Sequence, residues 1–235
     1  MDFALLTVDG CLFLLRWLHF IFGIVWIGLL YYFNFVQGPF FAETDAATKS
    51  NAIQKLVPRA LWWFRWSAMF TLLTGTLYFV GRLHQVGGLA AAMETAWGIA
   101  IVSGMTLGTL MWYNVWFVIW PNQKIVIQSA TQAATGGAAL PNAAAAGARA
   151  GCASRHNVLF SIPMLFFMGA ASHLPVQVTP ESNMPLWFGV FGAVVLGLEM
   201  NALKGKTGPI TTVKGVIHCG LALALVLYVA MEFIL

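Results

Sequence analysis

The sequence predicts an all-α, polytopic integral membrane bundle of about six transmembrane helices, with both termini outside the cytoplasm. Three observations carry this. Of 235 residues, 60% are hydrophobic and only 9% are charged, against about 25% charged in an ordinary soluble domain; so few charges could not cover a soluble surface. Apolar runs of about 18 residues or more recur along the chain, the length a bilayer-crossing helix needs. The basic residues alternate between loops in the manner of a multi-pass protein.

The first span is read at 11–36. Asp2 and Asp9 precede it and no basic segment does, so it is not a cleavable signal peptide. Further spans are read at 62–82, 95–120, 157–174, 185–202 and 212–233. Trp17, Tyr31, Tyr32, Trp62, Trp63, Trp120 and Trp187 lie near span ends, where an interfacial belt would hold them. Pro39, Pro58, Pro121, Pro175, Pro185 and Pro209 punctuate the connections. Within one domain, 1–235, the Ala/Gly-rich stretch 121–156 is expected to be a cytoplasmic loop with short helical pieces. Glycines at four-residue spacing, Gly104/Gly108 and Gly189/Gly197 with Ala193 between the latter pair, suit close helix packing.

Ten of the twelve Lys and Arg fall on one side: Lys49, Lys55, Arg59 and Arg65, then Lys124, Arg149 and Arg155, then Lys204, Lys206 and Lys214. Only Arg16 and Arg82 remain for the other. The positive-inside rule therefore places both termini outside, with a bacterial inner (cytoplasmic) membrane as the expected location. The net charge of +4 belongs to membrane loops and is no sign of a nucleic-acid partner. Cys11, Cys152 and Cys219 are far apart and form neither a C-x-x-C pair nor a C-x-x-C-H haem-attachment site.

His19, Gly23 and Trp26 fall at i, i+4 and i+7 and share one helix face. An imidazole inside a bilayer is costly unless partnered. A haem needs an axial nitrogen, a small residue where the porphyrin presses on the helix, and aromatic walls; this face supplies all three. A histidine bonded to a neighbouring helix, with glycine present for packing, is the plainer reading. Two axial histidines require a second imidazole at similar depth. His173, at the outer end of the fourth span, is the preferred partner, while His84 beside Arg82 and Gln85 looks solvated. Met164 and Met168, below His173, are read as packing or as a thioether ligand.

A second polar set gathers toward the inner side: Asn34, Arg65, Asn114, Arg155, His156, Glu199, Asn201 and His218. Glu199 and His218 at comparable depth could pair, exchange a proton or orient a substrate. Arg65 and Arg155 either attract an anion or snorkel to the headgroups.

The stretches Trp17 to Gln37 (WLHFIFGIVWIGLLYYFNFVQ), Pro58 to Trp66 (PRALWWFRW) and Trp112 to Lys124 (WYNVWFVIWPNQK) resemble the membrane domain of bacterial cytochrome-c-fused urate hydroxylases, the urate oxidase N-terminal domain family. Ser161 to His173 (SIPMLFFMGAASH) and Glu199 to Gly205 (EMNALKG) extend the resemblance over nearly the whole chain. It implies an oxidoreductase that passes electrons to a periplasmic c-type cytochrome. In those proteins a cytochrome c domain follows on the same chain. Its absence here implies a separate cytochrome or a larger membrane complex, and puts urate itself in doubt.

The expectation is therefore a membrane protein carrying one haem b on His19 and His173, with Gly23 and Trp26 at the cofactor. A second haem on His156 and His218 would complete a path across the membrane. Glu199, His218, Asn114 and Arg65 would form a polar site for a purine-like molecule, a quinone or protons. Two rivals stand beside it: a cofactor-free anchor or assembly subunit, and a transporter, which would show repeats that this chain lacks.

Overall fold

The computed structural model describes residues 3–174 and 176–235; Asp2 and Pro175 lie outside the described residues. Among these residues there are helices and no strands. α1 runs over Val8–Glu43, α2 over Ala46–Lys55, α3 over Val57–Val86, α4 over Leu89–Met93, α5 over Ala96–Ala134, α6 over Ala143–His173, α7 over Met184–Lys204 and α8 over Val213–Ile234. Four of them, α1, α5, α7 and α8, are long and apolar enough to cross a membrane. α3 and α6 are as long, at 30 and 31 residues, but carry more polar groups.

Short polar side chains start these helices. Thr7, Asp45, Thr95, Asn183 and Thr212 each accept a backbone N–H of the first turn, satisfying donors that a helix leaves open. α3 stops at Gly87, whose φ of 92° only glycine adopts at no steric cost.

α1 and α3 lie antiparallel. Asp9 accepts a hydrogen bond from Gln85 at 2.7 Å, Phe22 stacks on Phe70 at 5.0 Å between centroids, and Phe33 meets Phe64 edge-on at 5.4 Å. α5 and α6 form a second antiparallel pair, from Gly104 against Met168 to Asn114 against Asn157. α7 lies along α6, with Phe167 against Trp187 and Phe191 at one level and His156 against Asn201 at another. α8 packs on α6 through Gly220 and Ile162. One apolar cluster joins all these helices, with Trp187, Phe64, Phe160 and Phe167 fully buried in it.

The structure departs from the sequence reading in four places. The stretch 121–156 is mostly not a loop: α5 continues to Ala134, α6 begins at Ala143, and only 135–142 is non-helical. Ala146, Ala150 and Ala153 are buried, because their small size lets α6 lie close against its neighbours. Pro39 and Pro121 do not punctuate connections. Each sits inside a continuous helix, two residues after a π-helical stretch, Tyr32–Gln37 and Asn114–Ile119. A proline lacks the N–H and crowds the carbonyl one turn back, so the ladder widens upstream instead of breaking. Trp187 is no interfacial anchor: it is fully buried and its Nε1 donates to Ser103 Oγ at 3.2 Å. Gly189 and Gly197 have nothing within 4 Å of where a Cβ would stand, so they mediate no close packing within this chain.

Candidate functional site

α1, α3, α5 and α6 surround a half-open, mostly apolar cavity of about 360 Å³. His19, Gly23 and Trp26 line it from α1, Thr71 and Gly75 from α3, Met105 and Gly108 from α5, and Met164 and Met168 from α6. The shared face read from the spacing of His19, Gly23 and Trp26 is therefore the wall of a real cavity.

The imidazole is held by geometry that the sequence did not disclose. His19 Nδ1 lies 2.9 Å from the Thr71 carbonyl oxygen, which can only accept, so Nδ1 carries a proton and, in the neutral ring, Nε2 keeps its lone pair. A helical carbonyl is normally shielded by the side chain one turn on. Here that position is Gly75, where a Cβ would stand 2.8 Å from His19 Cε1 and 2.9 Å from Nδ1. The missing side chain admits the ring. A Cβ at Gly23 would meet only the Thr71 methyl, at 3.9 Å, and one at Gly108 only Met164, at 4.0 Å. Both glycines thus widen the cavity. Trp26 is 2% exposed, and its Nε1 is buried without a hydrogen-bond partner.

The histidine pair expected from depth is not assembled. His173 is the exposed last residue of α6 and is absent from the cavity lining. It lies five residues past Met168, about 7.5 Å farther along the axis. Met105, Met164 and Met168 share the cavity lining with His19 instead.

The inner polar set divides into separate groups. Asn114 Nδ2 donates to Asn157 Oδ1 and to Glu199 Oε2, both at 3.0 Å, and Asn157 Nδ2 donates to the Met111 carbonyl at 2.9 Å. All three side chains are buried, and Asn114 Oδ1 and Glu199 Oε1 remain without partners. Asn157 was the member missed from sequence; it stands at a span boundary, where a polar residue attracts no notice. His218 is exposed on α8 and makes no bond to Glu199. Arg65 stacks its guanidinium 3.8 Å over Trp120, while its carbonyl accepts Trp116 Nε1 at 3.1 Å. His156 has both ring nitrogens engaged: Nδ1–H donates to the Cys152 carbonyl at 2.9 Å and Nε2 accepts Asn201 Nδ2 at 2.8 Å. That commitment speaks against His156 as a ligand to a second haem.

No cluster of three or more His, Cys, Asp or Glu suited to a metal ion occurs among the described residues. No curated protein and no solved structure matches the chain. A family model described as urate oxidase N-terminal matches residues 89–230, from α4 into α8. His19, Gly23, Trp26 and Arg65 precede the matched residues; Asn114, His173, Glu199 and His218 fall inside them. The match spans more than half of the chain, which therefore belongs to the urate oxidase N-terminal family.

Proposed function

We propose that this membrane protein is a haem b electron-transfer unit of a urate-hydroxylase-like oxidoreductase, delivering electrons to a c-type cytochrome at the face carrying both termini. Six helices, α3 and α6 included, would cross the bacterial inner membrane. The observation that carries the reading is His19: its Nδ1–H is tied to the Thr71 carbonyl, which orients the ring and leaves Nε2 available to a metal.

The residues present suit a haem. Gly23 and Gly108 make a cradle that side chains would fill, the walls are mostly apolar, and three methionines line the cavity with His19. His19 would be the axial nitrogen ligand. A thioether from Met105, Met164 or Met168 is better placed than His173 to be the second, since these line the cavity. When bound, the haem supplies one-electron chemistry, at a potential set by its ligands and burial. The Thr71 carbonyl fixes the tautomer of His19, Gly75 makes room for the ring, and the packed helices exclude water.

The test is a reduced-minus-oxidised visible spectrum of the detergent-purified chain, with extracted haem measured per chain. A b-type spectrum near one haem per chain is expected, lost in a folded His19→Ala variant. Folded protein without haem overturns the reading and leaves a cofactor-free anchor subunit. Undiminished haem in His19→Ala removes the ligand assignment.

A further inference from the structure

Asn114 of α5, Asn157 of α6 and Glu199 of α7 form one buried cluster, and the direction of its hydrogen bonds is fixed from one end. The Met111 carbonyl can only accept, so the Asn157 atom 2.9 Å from it is the amide nitrogen. That turns Asn157 Oδ1, an acceptor, toward Asn114, and the atom 3.0 Å away is the Asn114 nitrogen. The same nitrogen gives its second hydrogen to Glu199 Oε2, at 3.0 Å. Flipping either amide would set two acceptors against each other. Asn114 therefore has no N–H to spare, and its Oδ1 is left with nothing to accept.

Glu199 Oε1 is the second unpartnered acceptor of the cluster. Glu199 is 5% exposed, and Asn114 is fully buried. No cationic side chain is bonded to either oxygen, since neither has any partner. His156, next to Asn157 in the chain, has both ring nitrogens engaged elsewhere, and the Arg65 guanidinium lies over Trp120. A carboxylate with one amide bond and no counter-charge is among the costliest groups that a membrane-crossing helix can bury. Two acceptors on side chains already bonded to each other lack a single hydrogen between them.

We propose that Glu199 is a proton-binding site inside the bilayer. The proton sits on Oε1 and is donated to Asn114 Oδ1, while Asn114 Nδ2 continues to donate to Oε2. One hydrogen satisfies both orphan atoms, closes a reciprocal acid–amide pair and removes the buried charge. A hard metal cation takes about six or more oxygen ligands, and this cluster has two to spare; the proton is the cation that fits. Asn114 lies six residues past Gly108 and Asn157 seven before Met164, so the acid stands about 9–10 Å along the helices from that part of the His19 cavity wall. An intramembrane carboxylic acid is the kind of group from which proton relays are built. The site is separate from the His19 cavity and stands whether or not that cavity holds haem.

The experiment is infrared difference spectroscopy of the detergent-purified full chain at neutral pH, wild type minus Glu199→Gln. The expected result is a wild-type carbonyl band of a protonated carboxylic acid, above the amide I band, with no carboxylate band lost in the variant. Gln reproduces both bonds, since its amide oxygen accepts and its N–H donates, so Glu199→Gln should melt close to the wild type. Asn114→Ala, where melts show it folded, should move the acid band to higher wavenumber, because the carbonyl oxygen loses its donor; where it does not fold, the first difference spectrum decides alone. A carboxylate band lost in place of an acid band overturns the proposal. So does an acid band that Asn114→Ala leaves in place, or a Glu199→Gln chain that no longer folds. A carboxylate band that gives way to an acid band only when Na⁺ is removed assigns the place to a metal ion and overturns it as well. None of these readouts involves haem, so the outcome is independent of the reading of the His19 cavity.

Discussion

Gly75 and His19 are in contact so close that a Cβ on the glycine would stand 2.8 Å from the imidazole. The hydrogen bond from His19 Nδ1 to the Thr71 carbonyl depends on that gap. Gly75→Ala should push the ring off the carbonyl and cost about 1–3 kcal/mol in stability, as overpacking does. Haem per chain, and the shape of the visible spectrum, should change with it. Gly189→Ala, where nothing lies within 4 Å, is the control and should leave both unchanged.

Asn114 joins α5, α6 and α7 by donating to Asn157 and Glu199. Asn114→Ala removes both bonds and leaves buried acceptors unpaired, so thermal unfolding in detergent should show a loss of about 1–3 kcal/mol or more. Glu199→Gln should be milder, because its amide oxygen still accepts from Asn114 and its N–H can satisfy Asn114 Oδ1, which has no partner.

Trp187 is the largest fully buried side chain and sits beside Phe167 and Phe191. Trp187→Ala should cost about 3–5 kcal/mol. Trp187→Phe keeps most of the packing but leaves Ser103 Oγ without its donor, and should lie well below that value in the same melting experiment.

Asp45 caps α2 by accepting from the amides of Ala47 and Thr48, and the Thr48 side chain and amide hold its carboxyl below the usual carboxylate range. A depressed folded value means that the cap is present above the unfolded pKa and lost as pH falls through the folded one. Amide exchange at Ala47 and Thr48, corrected for its intrinsic pH dependence, should lose protection only below the ordinary carboxylate range. Asp45→Asn should retain a cap and abolish this pH dependence.

Part of the candidate site was legible in the sequence and part was not. The spacing of His19, Gly23 and Trp26 placed them on one face, because helical period fixes which residues of a single helix point together. The choice of His173 rested on depth alone. Depth does not say which way a side chain faces around its own helix axis, and the structure puts Met164 and Met168 on the cavity wall and His173 beyond it. Glu199 and His218 illustrate the same limit: similar depth, but one buried against Asn114 and the other exposed. Pro39 and Pro121 misled because a proline breaks a helix only where its neighbours do not hold the two halves in line, and here they do.

Sequence by itself determined that this is a helical membrane protein of the urate oxidase N-terminal family, because scarcity of charge and runs of apolar residues are properties of the chain and need no partners. Only the tertiary structure decided which polar groups meet. The tautomer of His19 depends on a carbonyl 52 residues away that is uncovered by Gly75. Arg65 and Arg155 look alike in sequence, yet one is held over Trp120 and the other is left to face a cavity. Rotation of each helix about its axis, and the register between helices, arise from packing between segments far apart in the chain, and no local pattern encodes them.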